Sequence, residues 1–336
     1  MTPFELDMLD QPKALAEFPG DQGQELLELV RNPPTRLVLT GMGSSALAGE
    51  TLWGELISAG LAAWSVDAAR LMSAPGLITT DTVVIATSQS GASAEVVALL
   101  EPIKQRGARL VGVTADNRSP LASAADTVIN LGSGFESTVS TKSYLNSLAA
   151  HQLIATRIFN RSVDRLQDDV RESADLVARQ LADDLPADLE QALRERTLTR
   201  VVTVGEGDAA ITARYAALII TEAAKWPVQG YSTGEFRHGP YELAGPGLAA
   251  FLFLAGGTPG ESIRRLRSDL LRTGSSVFVI GAGSPGQAGV LAPGATPLQW
   301  MATSSVVAQQ LAVVMANARD IPPGEFRYGS KITTTL

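Results

Sequence analysis

Three serines and a glycine stand between an apolar run and a helical pattern, where they could bind an anion. Residues 82–86 are typical of a buried parallel strand, and residues 94–106 carry apolar side chains at helical spacing. The turn between them contains Ser88, Ser90, Gly91 and Ser93. A helix start offers unpaired N–H groups and the positive end of its dipole, and a glycine lets the backbone approach a ligand closely. The turn therefore suits a phosphate monoester, although a helix cap and a tight turn would use the same residue types.

Two further hydroxyl-rich segments also precede helical patterns. Ser44 and Ser45 follow a strand pattern and a Gly-x-Gly turn, and Ser140 precedes the helical pattern of residues 144–159. The loops at the carboxyl ends of parallel strands gather at one edge of a doubly wound sheet, so the three segments could converge on one ligand. A Gly-x-Gly turn is also a weak sign of a dinucleotide site, but no clear acidic residue closes the next strand unless Asp67 serves. We expect no cofactor.

The composition indicates a two-domain α/β protein without a basic surface. The chain has 336 residues, of which 45% are hydrophobic and 31 are glycine, which favours two cores and many tight turns. Its net charge is −8 and it has no Lys/Arg cluster, so neither nucleic acid nor a membrane is an expected partner. Cysteine is absent, which excludes disulfides and thiolate chemistry. With no signal-peptide pattern and no run long enough to span a bilayer, we expect a cytoplasmic location.

The sequence contains two copies of one α/β pattern. Residues 36–43 and 200–207 both read as a strand, a Gly-x-Gly turn and a helix start, and residues 85–113 have a counterpart in 251–280. Alternating strands and helices favour parallel sheets with helices on both faces. We therefore predict two doubly wound, flavodoxin-like subdomains in tandem. The first is residues 1–183, with an N-terminal helical segment, and the second is residues 184–336.

The two copies differ at the serine-rich turn. The segment of the second copy that matches residues 88–91 reads Ala255-Gly256-Gly257-Thr258, so most of the hydroxyls are missing. If the serines only capped a helix, both copies would need them equally. Anion binding requires the hydroxyls in one copy only. We expect only the first copy to bind the anion.

Four segments, in this order, resemble motifs of the SIS (sugar isomerase) domain family. They are Gly41-Met42-Gly43-Ser44-Ser45, Thr87-Ser88-Gln89-Ser90-Gly91 followed by Ser93, Val139-Ser140-Thr141-Lys142, and Gly234-Glu235 followed by His238-Gly239-Pro240. The chain as a whole looks like the tandem-SIS isomerase half of glucosamine-6-phosphate synthase and its stand-alone relatives. This resemblance implies that the sugar phosphate is bound by Ser88, Gln89, Ser90 and Ser93. It also implies that Ser44, Ser45 and Ser140 lie along the sugar.

The second copy and the C-terminus carry the residues to which the resemblance assigns chemistry. Glu222 lies near the end of a helical pattern with an apolar body, where a partly desolvated carboxylate would suit proton transfer between adjacent sugar carbons. The resemblance implies this role for Glu222. It implies that His238 assists ring opening from the partner subunit of a homodimer, and that Lys331 forms a Schiff base with an open-chain keto sugar, which requires a neutral amine. A surface glutamate, a turn histidine and a solvated tail lysine are the plainer alternatives.

The other histidine, His151, has no such context and is interpreted as structural. Two dispersed histidines do not form a metal site, so we predict none.

We expect a phosphosugar isomerase that moves a proton between C1 and C2 of a ketose or aminosugar 6-phosphate. The synthase helix carries lysines where this chain has Ile219 and Thr221, so the sugar remains open. Without a preceding glutaminase domain or a cysteine, we expect no ammonia extraction from glutamine, and without a helix-turn-helix extension no role as a transcriptional regulator. Two alternatives remain: a deaminase or fructosamine-phosphate deglycase on the same fold, and a non-catalytic sugar-phosphate binding module.

Overall fold

The chain forms two compact units, each built around one parallel sheet. The computed structural model describes residues 1–28, 34–194, 198–257, 260–282, 294–333 and 335. The first-sheet unit comprises Lys13–Glu136, Lys142–Arg171 and Tyr328–Leu336, and the second-sheet unit comprises Met1–Pro12, Ser137–Thr141 and Glu172–Arg327. The chain begins with two short helices, α1 (Pro3–Leu9) and α2 (Gln11–Ala16).

The first sheet has five parallel strands in the order β2-β1-β3-β4-β5. The strands are β1 (Arg36–Gly41), β2 (Ala63–Ser65), β3 (Thr82–Thr87), β4 (Arg109–Thr114) and β5 (Thr127–Asn130). The helices of this unit are α3 (Gly43–Ser58), α4 (Ala68–Ser73), α5 (Ala94–Gln105), α6 (Pro120–Ala124) and α7 (Lys142–Ile158). This strand order is that of a flavodoxin-like doubly wound sheet.

The alternation of side chains along β1 decides which helices cover each face of the first sheet. Val38 belongs to a buried cluster that includes Val96 and Leu99 of α5. Leu39, which points to the other face, lies against Gly49 of α3. The central strands are buried on both faces, which is why their sequence is continuously apolar rather than alternating.

The second sheet has four described strands in the order β7-β6-β8-β9, again all parallel. The strands are β6 (Arg200–Gly205), β7 (Val228–Ser232), β8 (Leu248–Gly257) and β9 (Ser276–Ala282). Helix α8 (Val163–Ala182) and helix α9 (Ala187–Arg194) precede this sheet. Around it are α10 (Ala209–Ala224), α11 (Thr233–Arg237), α12 (Glu261–Arg272) and α13 (Pro297–Asn317).

The prediction of two doubly wound parallel sheets is confirmed. The division into residues 1–183 and 184–336 stays a prediction about the two sequence repeats. Among the described residues, no helix is both long and apolar enough to cross a membrane.

Candidate functional site

The serine-rich turns of the first-sheet unit lie at the point where the strand order reverses. β1 and β3 are neighbours, with Gly41 of β1 in register with Thr87 of β3. The chain leaves β1 through α3 toward β2 on one side and leaves β3 through α5 toward β4 on the other. A doubly wound sheet opens a crevice at the carboxyl ends of two such strands. Ser44 and Ser45, half-buried in the first turn of α3, and the turn before α5 therefore border one crevice.

Hydrogen bonds hold the turn between β3 and α5 in one conformation. The Ser88 amide donates to the Val113 carbonyl (3.0 Å), and the Gln89 carbonyl accepts from the Ala115 amide (2.9 Å). The buried Ser88 hydroxyl lies 3.0 Å from the Ser93 hydroxyl. Ser93 is the N-cap residue of α5 but makes no side-chain cap bond. Ser88 and Ser93 thus present a fixed pair of hydroxyls at the positive end of a helix.

Ser90 and Gln89 are half-buried residues of the same turn. The Ser90 hydroxyl accepts a hydrogen bond from the Ala92 amide at 3.2 Å, and its own proton can be donated to a ligand. The turn thus offers hydroxyl donors without a cation, so it would bind an anion through neutral groups.

Two glycines allow the backbone of this crevice to pack closely. Gly91 has φ +61°, and a Cβ at this position would lie 2.1 Å from the Ser119 hydroxyl oxygen. A Cβ at Gly41 would lie 2.7 Å from the Thr87 carbonyl oxygen. Any larger residue would displace the turn, so the glycines are part of its geometry.

His151 lies beneath the turn and is structural, as interpreted from the sequence. It is 1% exposed, and its Nε2 lies 3.1 Å from the Thr87 hydroxyl, one residue before Ser88. Burial lowers the pKa of His151 from 6.5 to about 4. The ring is therefore neutral near pH 7 and supports the end of β3 as an uncharged hydrogen-bonding group.

The C-terminal segment of the first-sheet unit contacts the start of α5. The Thr333 carbonyl accepts a hydrogen bond from the Ala94 amide at 3.0 Å. Lys331 Nζ lies 2.5 Å from Glu136 Oε2, and the Glu136 side chain is fully buried. The C-terminal segment therefore lies at the turn that contains Ser88 and Ser93.

Glu136, which belongs to none of the sequence motifs, is the centre of a buried hydrogen-bonded group. Its carboxylate accepts from the Ser143 amide (3.2 Å) and the Ser143 hydroxyl (2.6 Å) as well as from Lys331. Lys331 is 195 positions away along the chain, and no local pattern indicates such a pair.

Glu222 lies near the C-terminal end of α10, half-buried, as the sequence predicts. The chain leaves the helix through Lys225, which has φ +53° and whose Nζ donates to the Glu222 carbonyl. Desolvation, with the nearby Arg327 charge as a smaller cause, lowers the pKa of Lys225. The end of α10 thus places a carboxylate and an amine close together.

His238 is exposed and follows the short helix α11. Ser232 and Glu235 form a capping box at the start of α11, and Arg237 pairs with Asp269 at 2.8 Å. Phe236 is fully buried and belongs to a cluster with Val202 and Val204. Hence α11 is fixed to the sheet while its histidine faces solvent.

The helices that carry Glu222 and His238 pack on opposite faces of the second sheet. The Thr203 hydroxyl of β6 donates to the Ala213 carbonyl of α10 at 2.6 Å. Phe236 of α11 packs with Val202 and Val204, which point to the other face of the same strand. The sheet therefore separates the two helices within one chain.

The structure distributes the predicted site residues over the two units. The first-sheet unit contains Ser44, Ser45, Ser88, Gln89, Ser90, Ser93 and Lys331, and the second-sheet unit contains Ser140, Glu222 and His238. The segment 255–258, which the sequence comparison matches with residues 88–91, ends at Thr258, and that residue lies outside the described ranges. Among the residues described, no group of three or more His, Asp and Glu side chains could hold a metal ion.

The described geometry defines an α/β protein with a serine-rich turn at a topological switch point. Residues 30–157 match the SIS domain family model. The match covers the switch-point crevice of the first sheet, including Ser44, Ser88 and Ser93.

The chain is similar to a curated sugar-phosphate isomerase and to isomerizing aminotransferases. The arabinose 5-phosphate isomerase KdsD of Pseudomonas aeruginosa is 37% identical over 118 residues, which are 35% of this chain and 36% of that protein. The isomerizing glutamine–fructose-6-phosphate aminotransferase of Pyrobaculum aerophilum is 27% identical over 262 residues, or 76% of this chain and 44% of that protein. The chain thus spans less than half the length of these relatives.

Two solved structures share the whole fold. The C-terminal domain of glucosamine-fructose-6-phosphate aminotransferase from Francisella tularensis has a TM-score of 0.81 at 16% identity and covers 97% of this chain and 98% of its own. The glucosamine-6-phosphate deaminase of Thermotoga maritima has a TM-score of 0.74 at 22% identity, and the alignment covers 96% of this chain and 97% of the deaminase chain. At these identities the likeness shows a common fold.

Proposed function

We propose that this protein is a phosphosugar isomerase that moves a proton between C1 and C2 of a ketose or aminosugar 6-phosphate. The observation that carries the proposal is the pair of serine-bearing helix starts at the β1/β3 switch point, inside the segment that matches the SIS family. The isomerase relatives support the same reaction class.

The phosphate is bound by neutral donors in this proposal. Ser88, Gln89, Ser90 and Ser93 lie at the start of α5, whose first turn also presents backbone N–H groups. This explains how a chain with a net charge of −8 can bind a phosphorylated sugar without a basic surface. Ser44, Ser45 and Ser140 contact the sugar.

Glu222 is the proposed base. Its carboxylate removes the C1 proton of the open-chain ketose to give an enediol. The resulting carboxyl group, whose proton exchanges with solvent, then protonates C2 while the O1 hydroxyl proton passes to O2, which gives the aldose. As the resemblance implies, the Lys331 amine, once deprotonated, adds to the C2 carbonyl with loss of water, and water then cleaves this Schiff base to return the open-chain ketose and the free amine before Glu222 removes the C1 proton. Lys331 is paired with Glu136, so the addition requires that pair to open.

His238 assists opening of the sugar ring, in the proposal, as part of a homodimer. The second sheet separates α10 from α11. This separation supports a role in which His238 acts on the substrate bound by the partner subunit rather than on the substrate bound by its own subunit.

Proton NMR in D2O tests the reaction directly. The purified protein is incubated with fructose 6-phosphate and, separately, glucosamine 6-phosphate, and the C1 and C2 hydrogens and free ammonium are followed. Solvent deuterium entering C1 or C2 without ammonium supports the isomerase. Ammonium release instead indicates the deaminase, and binding without exchange of either sugar contradicts the proposed reaction.

A matched pair of variants separates this catalysis from a contaminant. Glu222→Gln removes the proposed base, whereas Glu261→Gln removes a surface carboxylate that pairs with Arg265 at the start of α12. If hydrogen exchange at C1 and C2 is lost in Glu222→Gln and kept in Glu261→Gln, Glu222 is responsible for the proton transfer.

A further inference from the structure

We propose that Asp7 and Gln11, from the N-terminal helices, are positioning residues for the Ser137–Ser140 part of the substrate site. This inference rests on the proposed function, because it takes Ser140 as a sugar contact. All of the groups involved belong to the second-sheet unit. Two separate hydrogen-bonded routes lead from the N-terminal residues to the two ends of this segment.

The first route is direct. The Asp7 carboxylate of α1 accepts hydrogen bonds from the Ser137 amide at 3.2 Å and from the Ser137 hydroxyl at 3.4 Å. Asp7 is only 8% exposed. A carboxylate is seldom buried without a specific partner. The contact of Asp7 with Ser137 is therefore a buried structural contact, and it holds the start of the Ser137–Ser140 segment in place.

The second route passes through three buried side chains. Gln11 and Gln309 form a reciprocal amide pair, with distances of 2.8 and 2.9 Å. Gln309 Nε2 also donates to the Tyr215 hydroxyl at 2.9 Å, and that hydroxyl donates to the Ser140 carbonyl at 2.8 Å. Each of the three side chains has zero exposure.

This arrangement fixes the backbone of Ser140 while leaving its side chain half-buried. If the carbonyl moved, the buried Tyr215 hydroxyl would lose this hydrogen bond inside the core, where a lost polar contact is costly. The backbone orientation in turn sets the direction of the Ser140 hydroxyl. The buried route therefore holds a polar group that can face a ligand.

Tyr215 also links Ser140 to the proposed base. Tyr215 and Glu222 are seven residues apart on α10, which places them on one side of the helix and about 10 Å apart along its axis. A rigid helix thus carries the base at one position and anchors the Ser140 carbonyl at the other. Loss of the Tyr215 hydroxyl should loosen Ser140 without moving Glu222.

The test compares two ligands, fructose 6-phosphate and inorganic phosphate, by titration calorimetry. Tyr215→Phe should weaken fructose 6-phosphate binding about tenfold and leave inorganic phosphate binding unchanged, since phosphate alone needs only the Ser88 turn. Asp7→Ala should act in the same direction, and Asp7→Asn, which retains an acceptor for the Ser137 amide, should recover part of the affinity. In turnover, the variants should raise KM more than they lower kcat.

Gln310→Met is the matched control. Gln310 is the neighbour of Gln309 on α13, but its amide pairs with Gln180 of α8 and with the Asp183 carbonyl rather than with Gln11 or Tyr215. This variant loses a similar amide contact and should bind both ligands as the wild type does.

Three results would overturn the inference. Wild-type affinity for fructose 6-phosphate in both Tyr215→Phe and Asp7→Ala would show that the routes do not position Ser140. An equal loss of affinity for both ligands, or the same loss of affinity in Gln310→Met, would indicate general destabilisation of the protein. If the wild type binds inorganic phosphate but neither fructose 6-phosphate nor glucosamine 6-phosphate, the proposed function fails, and this inference fails with it.

Discussion

Glu222 and His238 belong to helices that pack on opposite faces of the same four-stranded sheet. The cause is the strand order β7-β6-β8, because α10 connects β6 to β7 and α11 lies in the connection from β7 to β8. Right-handed crossovers that run in opposite directions along a sheet must cover opposite faces. One chain therefore presents the proposed base and the proposed ring-opening acid on different sides.

Subunit complementation should follow from this arrangement. Glu222→Gln and His238→Ala are each expected to be inactive alone. After mixing and dimer exchange, half of a random population is heterodimer, and each heterodimer has one site with both residues intact. We expect recovery of about one quarter of wild-type activity, measured as isomerisation rate per total chain.

A mixture that stays inactive, although exchange is verified by mass spectrometry, would mean that both residues act within one chain. Mixing Glu222→Gln with Glu222→Ala is the control, and it should recover nothing.

Glu222→Gln should separate chemistry from binding. The amide has nearly the size of the carboxylate but cannot accept the sugar proton. We expect proton exchange at C1 and C2 to fall by about 10² to 10⁴, while the affinity for the phosphosugar stays within about twofold. A variant with near-normal exchange would show that another group is the base.

Gly91→Ala should damage the proposed phosphate-binding turn more than a comparable glycine substitution elsewhere. Both Gly91 (φ +61°) and Gly60 (φ +78°) have positive φ. A Cβ added at Gly91 would lie 2.1 Å from the Ser119 hydroxyl oxygen, whereas a Cβ added at Gly60 would have no atom within 4 Å. Positive φ alone should cost about 1 to 2 kcal/mol in either variant. Gly91→Ala should in addition lose most phosphate affinity, measured by calorimetry, and Gly60→Ala should keep it.

His151 should make the stability of the protein fall in mild acid. Its folded pKa is about 4, below the unfolded value of about 6.5, so acid protonates the unfolded chain first. The free energy of unfolding should drop by about 2 kcal/mol between pH 8 and pH 5 from this group alone. Urea titrations at both pH values check this, and His151→Leu should flatten the dependence.

His238→Gln is the control for this pH effect. His238 is exposed, so its replacement leaves the buried imidazole and its desolvation in place. An identical pH dependence in the wild type and in His151→Leu would contradict this assignment.

Glu136→Gln should release the C-terminal segment. The substitution removes the fully buried carboxylate that pairs with Lys331, and an amine that has lost its partner no longer holds the segment down. Hydrogen exchange of residues 328–333, followed by mass spectrometry, should become at least about tenfold faster. Glu190→Gln, which breaks an exposed pair with Arg194, should leave that exchange unchanged.

Much of the fold and the position of the serine-rich turn could be predicted from the sequence, because both depend on local patterns. The strand predicted at residues 82–86 is observed as Thr82–Thr87, and the helix predicted at 94–106 as Ala94–Gln105. Apolar runs, the Gly/Ser turn and helical spacing are all read within a few residues. They suffice to place Ser88, Ser90 and Ser93 at a strand-to-helix turn in a parallel sheet.

Only the tertiary structure decided which distant groups meet. Lys331 pairs with Glu136 across 195 positions, and Asp7 contacts Ser137 across 130. The faces on which Glu222 and His238 lie follow from strand order, which hydrophobic periodicity does not encode. The sequence determined the parallel α/β class and the serine-rich turn because these are local properties of the chain. The buried pairs and the separation of the proposed acid and base depended on packing between remote segments, where the low-dielectric core selects which polar groups are paired.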